Sequence, residues 1–231
     1  MAATPLPASG VPAGAATLCD TRDMMMIHSV YRSQFADAVR FTRAVPEGDE
    51  RRAGIVGSFV LEIVDSLHHH HRGEDDLLWD RLEQRAPSCA AHVGRMRAAH
   101  AEVAELLAVV EDAVPSWLAG AAAADRDRVA DATQRVREAL LEHLGDEETT
   151  ILPVAATTIT QREWSELGRR GRAASPKGRI FEQLGMVLEG SDPQYRDVVW
   201  SELPPPVRLL YRWFGRKRYD RHRELLAGTA R

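Results

Sequence analysis

The histidines and glutamates of this 231-residue chain fall into one pattern written twice. His28 is followed 42 residues later by His70, which lies four residues before Glu74; His100 is followed 43 residues later by His143, which lies four residues before Glu147. Four residues make about one helical turn, so histidine and glutamate share a helix face in each copy. Two helical pairs, each contributing two imidazoles and one carboxylate, predict a buried site for a pair of metal ions.

Hydrophobic periodicity makes the body helical and puts these residues on the apolar stripes. Asp20 or Thr21 can cap a first helix carrying Met24, Ile27, His28, Tyr31, Phe35 and Val39 inward and ending before Pro46. A second is expected from about Arg52 to Arg85, with Val56, Phe59, Ile63, Leu67, His70, Glu74, Leu77 and Leu78 on its stripe and Pro87 closing it. A third reads Val93, Met96, His100, Val103, Leu107 and Val110, ending near Pro115. A fourth, after Asp125, reads Val129, Val136, Leu140, His143, Glu147, Ile151 and Val154, with Pro153 expected to kink or end it. Four such helices with moderate connections predict an all-α fold, an antiparallel up-down-up-down four-helix bundle with additional C-terminal helices. The expected division is a flexible N-terminal tail at 1–19, the bundle at 20–158 and a C-terminal helical extension at 159–231.

A buried carboxylate or imidazole is costly unless it is paired or coordinated, which is why six of them on core stripes point to metal. A single histidine on an apolar stripe is more often a hydrogen-bonded core residue, and His68, His69, His92 and His222 are assigned to that class. The run His68 to His71 leaves its register open: His70 has the correct turn to Glu74, while His71 also lies near the stripe, four residues after Leu67. Four imidazoles with two carboxylates and no thiolate suit iron or manganese at five or six coordination better than tetrahedral structural zinc, although zinc can also occupy such a site.

The net charge of −4 names no partner but conceals an asymmetry: residues 161–231 carry 15 Lys/Arg against 9 Asp/Glu, and residues 1–160 carry 15 against 25. Only Cys19 and Cys89 are present, in no thiolate metal motif, which favours a reduced, cytoplasmic setting. The first 18 residues lack the basic and apolar regions of a signal peptide, and no apolar run approaches the roughly 18 residues of a membrane span.

Residues 20–155 resemble a hemerythrin-like (HHE cation-binding) domain: HHHHRGEDDLLWDRL is similar to that family's second-helix motif and HLGDEETTILP to its fourth. The resemblance implies an oxo- or hydroxo-bridged pair of iron ions in a helical bundle. Carried over, His28 and His70 would hold one iron and His100 and His143 the other, with Glu74 and Glu147 bridging. The oxygen carriers of the family have a further histidine one turn after the third-helix ligand, where this chain has Ala104, and their fourth-helix carboxylate lies five residues after histidine, where this chain has Glu148 beside Glu147. Four histidines in place of five would leave a labile position and favour redox turnover over reversible oxygen carriage.

Two function classes follow. The first is a di-iron oxidoreductase acting on O2, peroxide or a small-molecule substrate; the second is an O2- or iron-binding or sensing module without turnover. Tyr31, one turn after His28, is a candidate catalytic residue whose hydroxyl would hydrogen-bond a bridging carboxylate or a small ligand. In the extension, Asp192-Pro193 marks a helix start, and PPPVRLLYRWFGRKRYDRHRELL reads as a basic terminal helix docked through Leu209, Leu210, Trp213 and Phe214 with its arginines in solvent. Contact with nucleic acid or acidic lipid is the sharper alternative, disfavoured because no DNA-binding motif accompanies the basic cluster.

Overall fold

In the computed structural model, residues 17–174 and 179–229 are described, and their regular structure is entirely helical. The body consists of α1 (Arg22–Arg43), α2 (Glu50–Leu77), the short α3 (Trp79–Arg85), α4 (Ala90–Leu118) and α5 (Ala123–Asp146). α1 packs against α2 and α5, and α4 packs against the same two helices, so the four long helices enclose a common interior. Of the expected tail, residues 1–16 lie outside the described residues; the backbone N–H groups of Leu18 and Cys19 donate to the Ala156 carbonyl, and Cys19 is buried.

Two apolar cores fill that interior. One gathers Phe35, Phe41, Val60, Leu67, Leu107, Trp117, Val136 and Leu140; the other gathers Met24, Leu78, Trp79, Leu82, Met96, Ile151 and Trp164. Along α1 and α4 the chain passes from the second core to the first, whereas α2 and α5 belong to the first and lead on into the second at Leu78 and at Ile151. His28, His70, Glu74, His100, His143 and Glu147 all fall between the two.

Helix boundaries shift from those expected at three places. The second helix is interrupted at Leu78, separating α2 from α3. α4 runs through Pro115 to Leu118, one turn beyond the expected end. Pro153 neither ends nor simply kinks the fourth helix: a π-helical turn, Glu147–Ile151, follows α5, and Pro153 sits in the first turn of α6 (Leu152–Thr158). Proline lacks an N–H and its ring clashes with the carbonyl four residues back, and a wider turn relieves that conflict. The Leu152 N–H reaches back to the Glu147 carbonyl, while Thr149 Oγ1 and Thr150 Oγ1 cap the Gly145 and Asp146 carbonyls at 2.9 and 2.7 Å.

The extension covers the α1/α2 side. α7 (Gln161–Ala174) lies along α2, α8 (Ile180–Gly190) on α1, α9 (Pro193–Glu202) on α8, and α10 (Pro205–Leu210) leads through a π-helical segment into α11 (Arg216–Ala227), which packs on α8 and α2. Asp192-Pro193 opens α9, as the sequence predicts. The terminal segment docks through a different face from the one expected. Leu209, Leu210, Trp213 and Phe214 are exposed, whereas Tyr211, Gly215, Tyr219 and Leu226 are buried at helical spacing. Gly185 lets α8 approach α11 closely, because a Cβ there would meet Tyr219 Cγ at 2.3 Å. Several basic groups of the extension pair with acids of the body, Arg223 with Asp37 and Arg179 with Glu62 among them, so these arginines are not free in solvent.

Candidate metal centre

Seven side chains, not six, meet between the two cores. α1 contributes His28; α2 contributes His70, His71 and Glu74; α4 contributes His100; α5 contributes His143, and the π-helical turn contributes Glu147. Their ligating atoms fall into two groups within which all lie within 4.8 Å of one another: His28, His70 and Glu74, and His71, His100 and His143. Two carboxylates connect the groups. Glu74 places Oε1 3.3 Å from His70 Nε2 and Oε2 3.5 Å from His100 Nε2; Glu147 Oε2 lies 3.5 Å from His28 Nε2 and 3.8 Å from His143 Nε2.

These groups are buried without partners. Both oxygens of Glu74 and of Glu147, Nε2 of His28, His70, His71 and His100, and both ring nitrogens of His143 make no hydrogen bond, although each of these atoms is inaccessible to solvent. An unsatisfied buried polar atom costs about 1–3 kcal/mol, more when charged, and proteins keep such groups mainly where something else satisfies them. Cations would satisfy both carboxylates and one nitrogen of each ring, and the donor set of imidazole and carboxylate fits iron, manganese or zinc.

Electrostatics match the ligand-competent form of the histidines. Burial, then the neighbouring imidazoles, holds His70 and His71 well below the usual histidine range, and the same causes bring His143 down to about 3. These rings are neutral, each with a lone pair available. Burial, followed by the charge of Glu147, pushes Glu74 well above the usual carboxylate range, and burial also raises Glu147.

Two further carboxylates orient the rings. His28 Nδ1 donates to Glu148 Oε1 at 3.0 Å, and Arg32 Nη1 donates to the same oxygen at 2.7 Å. His100 Nδ1 donates to Asp75 Oδ1 at 2.8 Å, which also accepts Trp79 Nε1 at 2.7 Å. Burial alone would raise both acids, but these donors outweigh it and hold Asp75 and Glu148 below the usual carboxylate range. With Nδ1 occupied, Nε2 of each histidine faces the interior. The arrangement repeats: the acid immediately after Glu74 holds His100, and the acid immediately after Glu147 holds His28.

Three expectations change here. The His68 to His71 run does not resolve to one ligand candidate: His71 is buried and stacks on His100 with ring centroids 4.0 Å apart, beside His70, whereas His68 and His69 lie outside the cluster. The cluster therefore gathers five imidazoles, His71 of α2 among them. Tyr31 does not offer its hydroxyl to Glu74 or Glu147. Its ring lies against His70, centroids 5.1 Å apart, and its hydroxyl donates to the Ser66 carbonyl at 3.0 Å, within 3.0 Å of Ser66 Oγ as well. His92 lies at the surface beside Arg95, and His222 contacts Phe59 and Arg179, both remote from the centre.

The family model for the Hemerythrin HHE cation binding domain matches residues 19–155 of the chain, a span containing every one of these donors. No curated protein and no solved structure matches it.

Proposed function

Since the chain belongs to the hemerythrin HHE cation-binding family, we propose that it binds two iron ions among these seven residues and performs redox chemistry on O2, peroxide or a small organic substrate. The observation that carries this reading is the convergence of buried, unpartnered nitrogen and oxygen atoms from seven residues on one layer between two apolar cores. The opposite order of the two cores along successive long helices supports an antiparallel up-down-up-down arrangement, which brings donors from both copies of the pattern to one level. His28 and His70 would hold one ion, His71, His100 and His143 the other, with Glu74 and Glu147 available to both. Manganese or zinc fits the same donors.

Iron bound there supplies a redox couple able to exchange electrons with O2 or peroxide. The protein's part is positional. Glu148 and Asp75 fix the tautomer of His28 and His100, His28 and Arg32 together keep Glu148 ionised, and the two cores flank the layer. The halves are unequal: three imidazoles crowd one, two serve the other, and the latter is the natural place for a small molecule to approach.

A second reading, oxygen binding or sensing without turnover, is favoured by His71, which restores the imidazole count of the oxygen carriers. Metal analysis with an optical spectrum of iron-loaded protein, followed by peroxide and O2 consumption assays, tests both. Two irons per chain, near-ultraviolet absorption of a ferric pair and steady turnover are expected. Two irons with a reversible O2 adduct and no consumption would leave the sensing reading, and one iron or none would overturn the dinuclear centre.

A further inference from the structure

The extension does more than cover the body. Between α1 and α2 on one side and α7 and α8 on the other lies a cavity of about 420 Å³. Met24, Ile27, Ile63, Trp164, Leu167 and Met186 give it a largely apolar wall, and Tyr31, His70 and Glu74 stand in its inner side. It therefore reaches the half of the candidate centre with fewer imidazoles. Clefts of about 300–1,000 Å³ with mostly apolar walls and a few convergent polar groups are the usual form of small-molecule sites.

Helix-interior glycines keep this space open. Gly73 in α2 and Gly168 and Gly171 in α7 all line the cavity, although glycine is the poorest helix former apart from proline. Close packing does not require them. A Cβ on Gly73 would meet only Leu167 Cδ2 at 3.8 Å and Arg170 Cδ at 3.9 Å, ordinary contacts; one on Gly171 would meet nothing within 4 Å, and one on Gly168 would meet the flexible Arg172 guanidinium. What a larger side chain would remove is volume next to His70 and Glu74.

Of the five charged groups that line the cavity outside the metal centre, Asp23, Glu62, Asp65 and Arg170 are already engaged, and Arg172 is the fifth. Asp23 accepts Trp164 Nε1 at 2.8 Å, Glu62 pairs with Arg179, Arg170 pairs with Asp76, and Asp65 lies 3.7 Å from His69. Such pairing leaves Arg172 as the one charged side chain of the lining outside the centre with no ion pair seen among the described residues, and the apolar surface between these groups is what a ligand would cover.

We propose that this cavity binds a neutral, largely apolar organic molecule and presents it to the His28/His70 side of the metal centre as the small substrate. The inference rests on the dinuclear reading for the word substrate, but not for the binding itself. The neutral fluorophore N-phenyl-1-naphthylamine, whose emission rises in a dry pocket, reads the binding directly on the full-length protein, with and without iron.

Saturable one-to-one binding is expected. Gly73→Leu and Met186→Trp fill the cavity from opposite walls, and each is expected to weaken binding by about tenfold or more, because the ligand loses the space it must occupy. Gly73→Ala is the folding control: its methyl fits, so binding and helical circular dichroism should persist with thermal stability equal or higher. Iron content is measured on every variant. Protein that holds two irons and fails to bind the probe overturns the cavity proposal alone; protein that binds the probe and no iron overturns the dinuclear reading alone. Probe binding indifferent to both filling substitutions also overturns the proposal, since it places the probe elsewhere.

Discussion

Glu74→Gln should change stability in opposite directions with and without metal. Glu74 is fully buried, and neither carboxylate oxygen has a hydrogen-bond partner. In the metal-free protein its burial beside Glu147 is a penalty, already visible in how far its proton affinity is raised. Two unsatisfied oxygens at about 1–3 kcal/mol each set the scale, and an uncharged amide of the same shape relieves part of it. We expect the metal-free variant to be more stable than the parent by about 1–3 kcal/mol. With metal the order reverses. A ligand present at 1,000 times its dissociation constant stabilises a fold by about 4 kcal/mol, and the variant, lacking a carboxylate directed at both halves, forfeits most of this. For a domain of this length that is about 8–16 °C in melting temperature. Urea unfolding in chelator and in excess Mn²⁺ or Fe²⁺, with metal content measured alongside, gives both numbers. Glu148→Gln is the comparison: Glu148 acts on His28 through Nδ1, so metal affinity should fall by about 10–100-fold without the site emptying. Equal destabilisation of Glu74→Gln in both conditions would refute the argument, because it would make Glu74 an ordinary core residue.

His71→Ala should remove one metal or sharply weaken it, since only His100 and His143 would remain in that half, and adding Ala104→His one turn beyond His100 should restore the second metal; unchanged stoichiometry and affinity in His71→Ala would show that His71 is not a ligand. His222 offers a pH test away from the centre. Burial, then the Arg179 charge, depresses it to about 4, and the Arg179 guanidinium donates to its ring. A folded-state value below the unfolded one of about 6.5 means that protonation favours unfolding, so the penalty is absent above pH 6.5 and grows as pH falls toward 4. Discounted for partial exposure it amounts to about 1–2 kcal/mol, and His222→Gln should flatten the urea midpoint across that window; an unaltered slope would contradict the assignment.

The helical periods and the six expected donors could be read in the sequence because both follow from one regularity, the 3.6-residue repeat, which places any buried polar residue on an apolar stripe. That logic leaves His70 and His71 both open. Consecutive residues lie about 100° apart on a helix, so His70 and His71 straddle the stripe, and only the approach of α4 and α5 decides that both turn inward. Asp75 escaped that logic because an acid beside a buried glutamate looks like a solvated surface residue until the histidine across the interface is placed, and Glu148, an alternative carboxylate by its five-residue spacing, holds His28 through Nδ1. A signal was present all the same, since both copies read His, three residues, Glu, then a second acid. In the terminal segment the period, not the hydrophobicity of single residues, decides which face docks. Tyr211, Gly215 and Tyr219 recur every four residues and dock, whereas Trp213 and Phe214 are more apolar and point away.

The charge asymmetry takes on a structural meaning in this arrangement. Cross-pairs such as Arg223–Asp37, Arg179–Glu62 and Arg170–Asp76 join the basic extension to the acidic body. Individually such pairs are worth about 0–1 kcal/mol, so buried contacts such as Trp164 and Leu226 carry more of the attachment and the charges set its register. That register determines the cavity. Every candidate metal donor lies within residues 28–147, inside the family match, whereas Trp164, Leu167 and Met186 of the outer wall lie beyond its last residue, 155. The candidate donors and the outer wall of the cavity thus come from different parts of the chain. Substitutions in α7 and α8 are expected to change what reaches the His28/His70 side while leaving the donor set intact, and substitutions among the donors to do the converse.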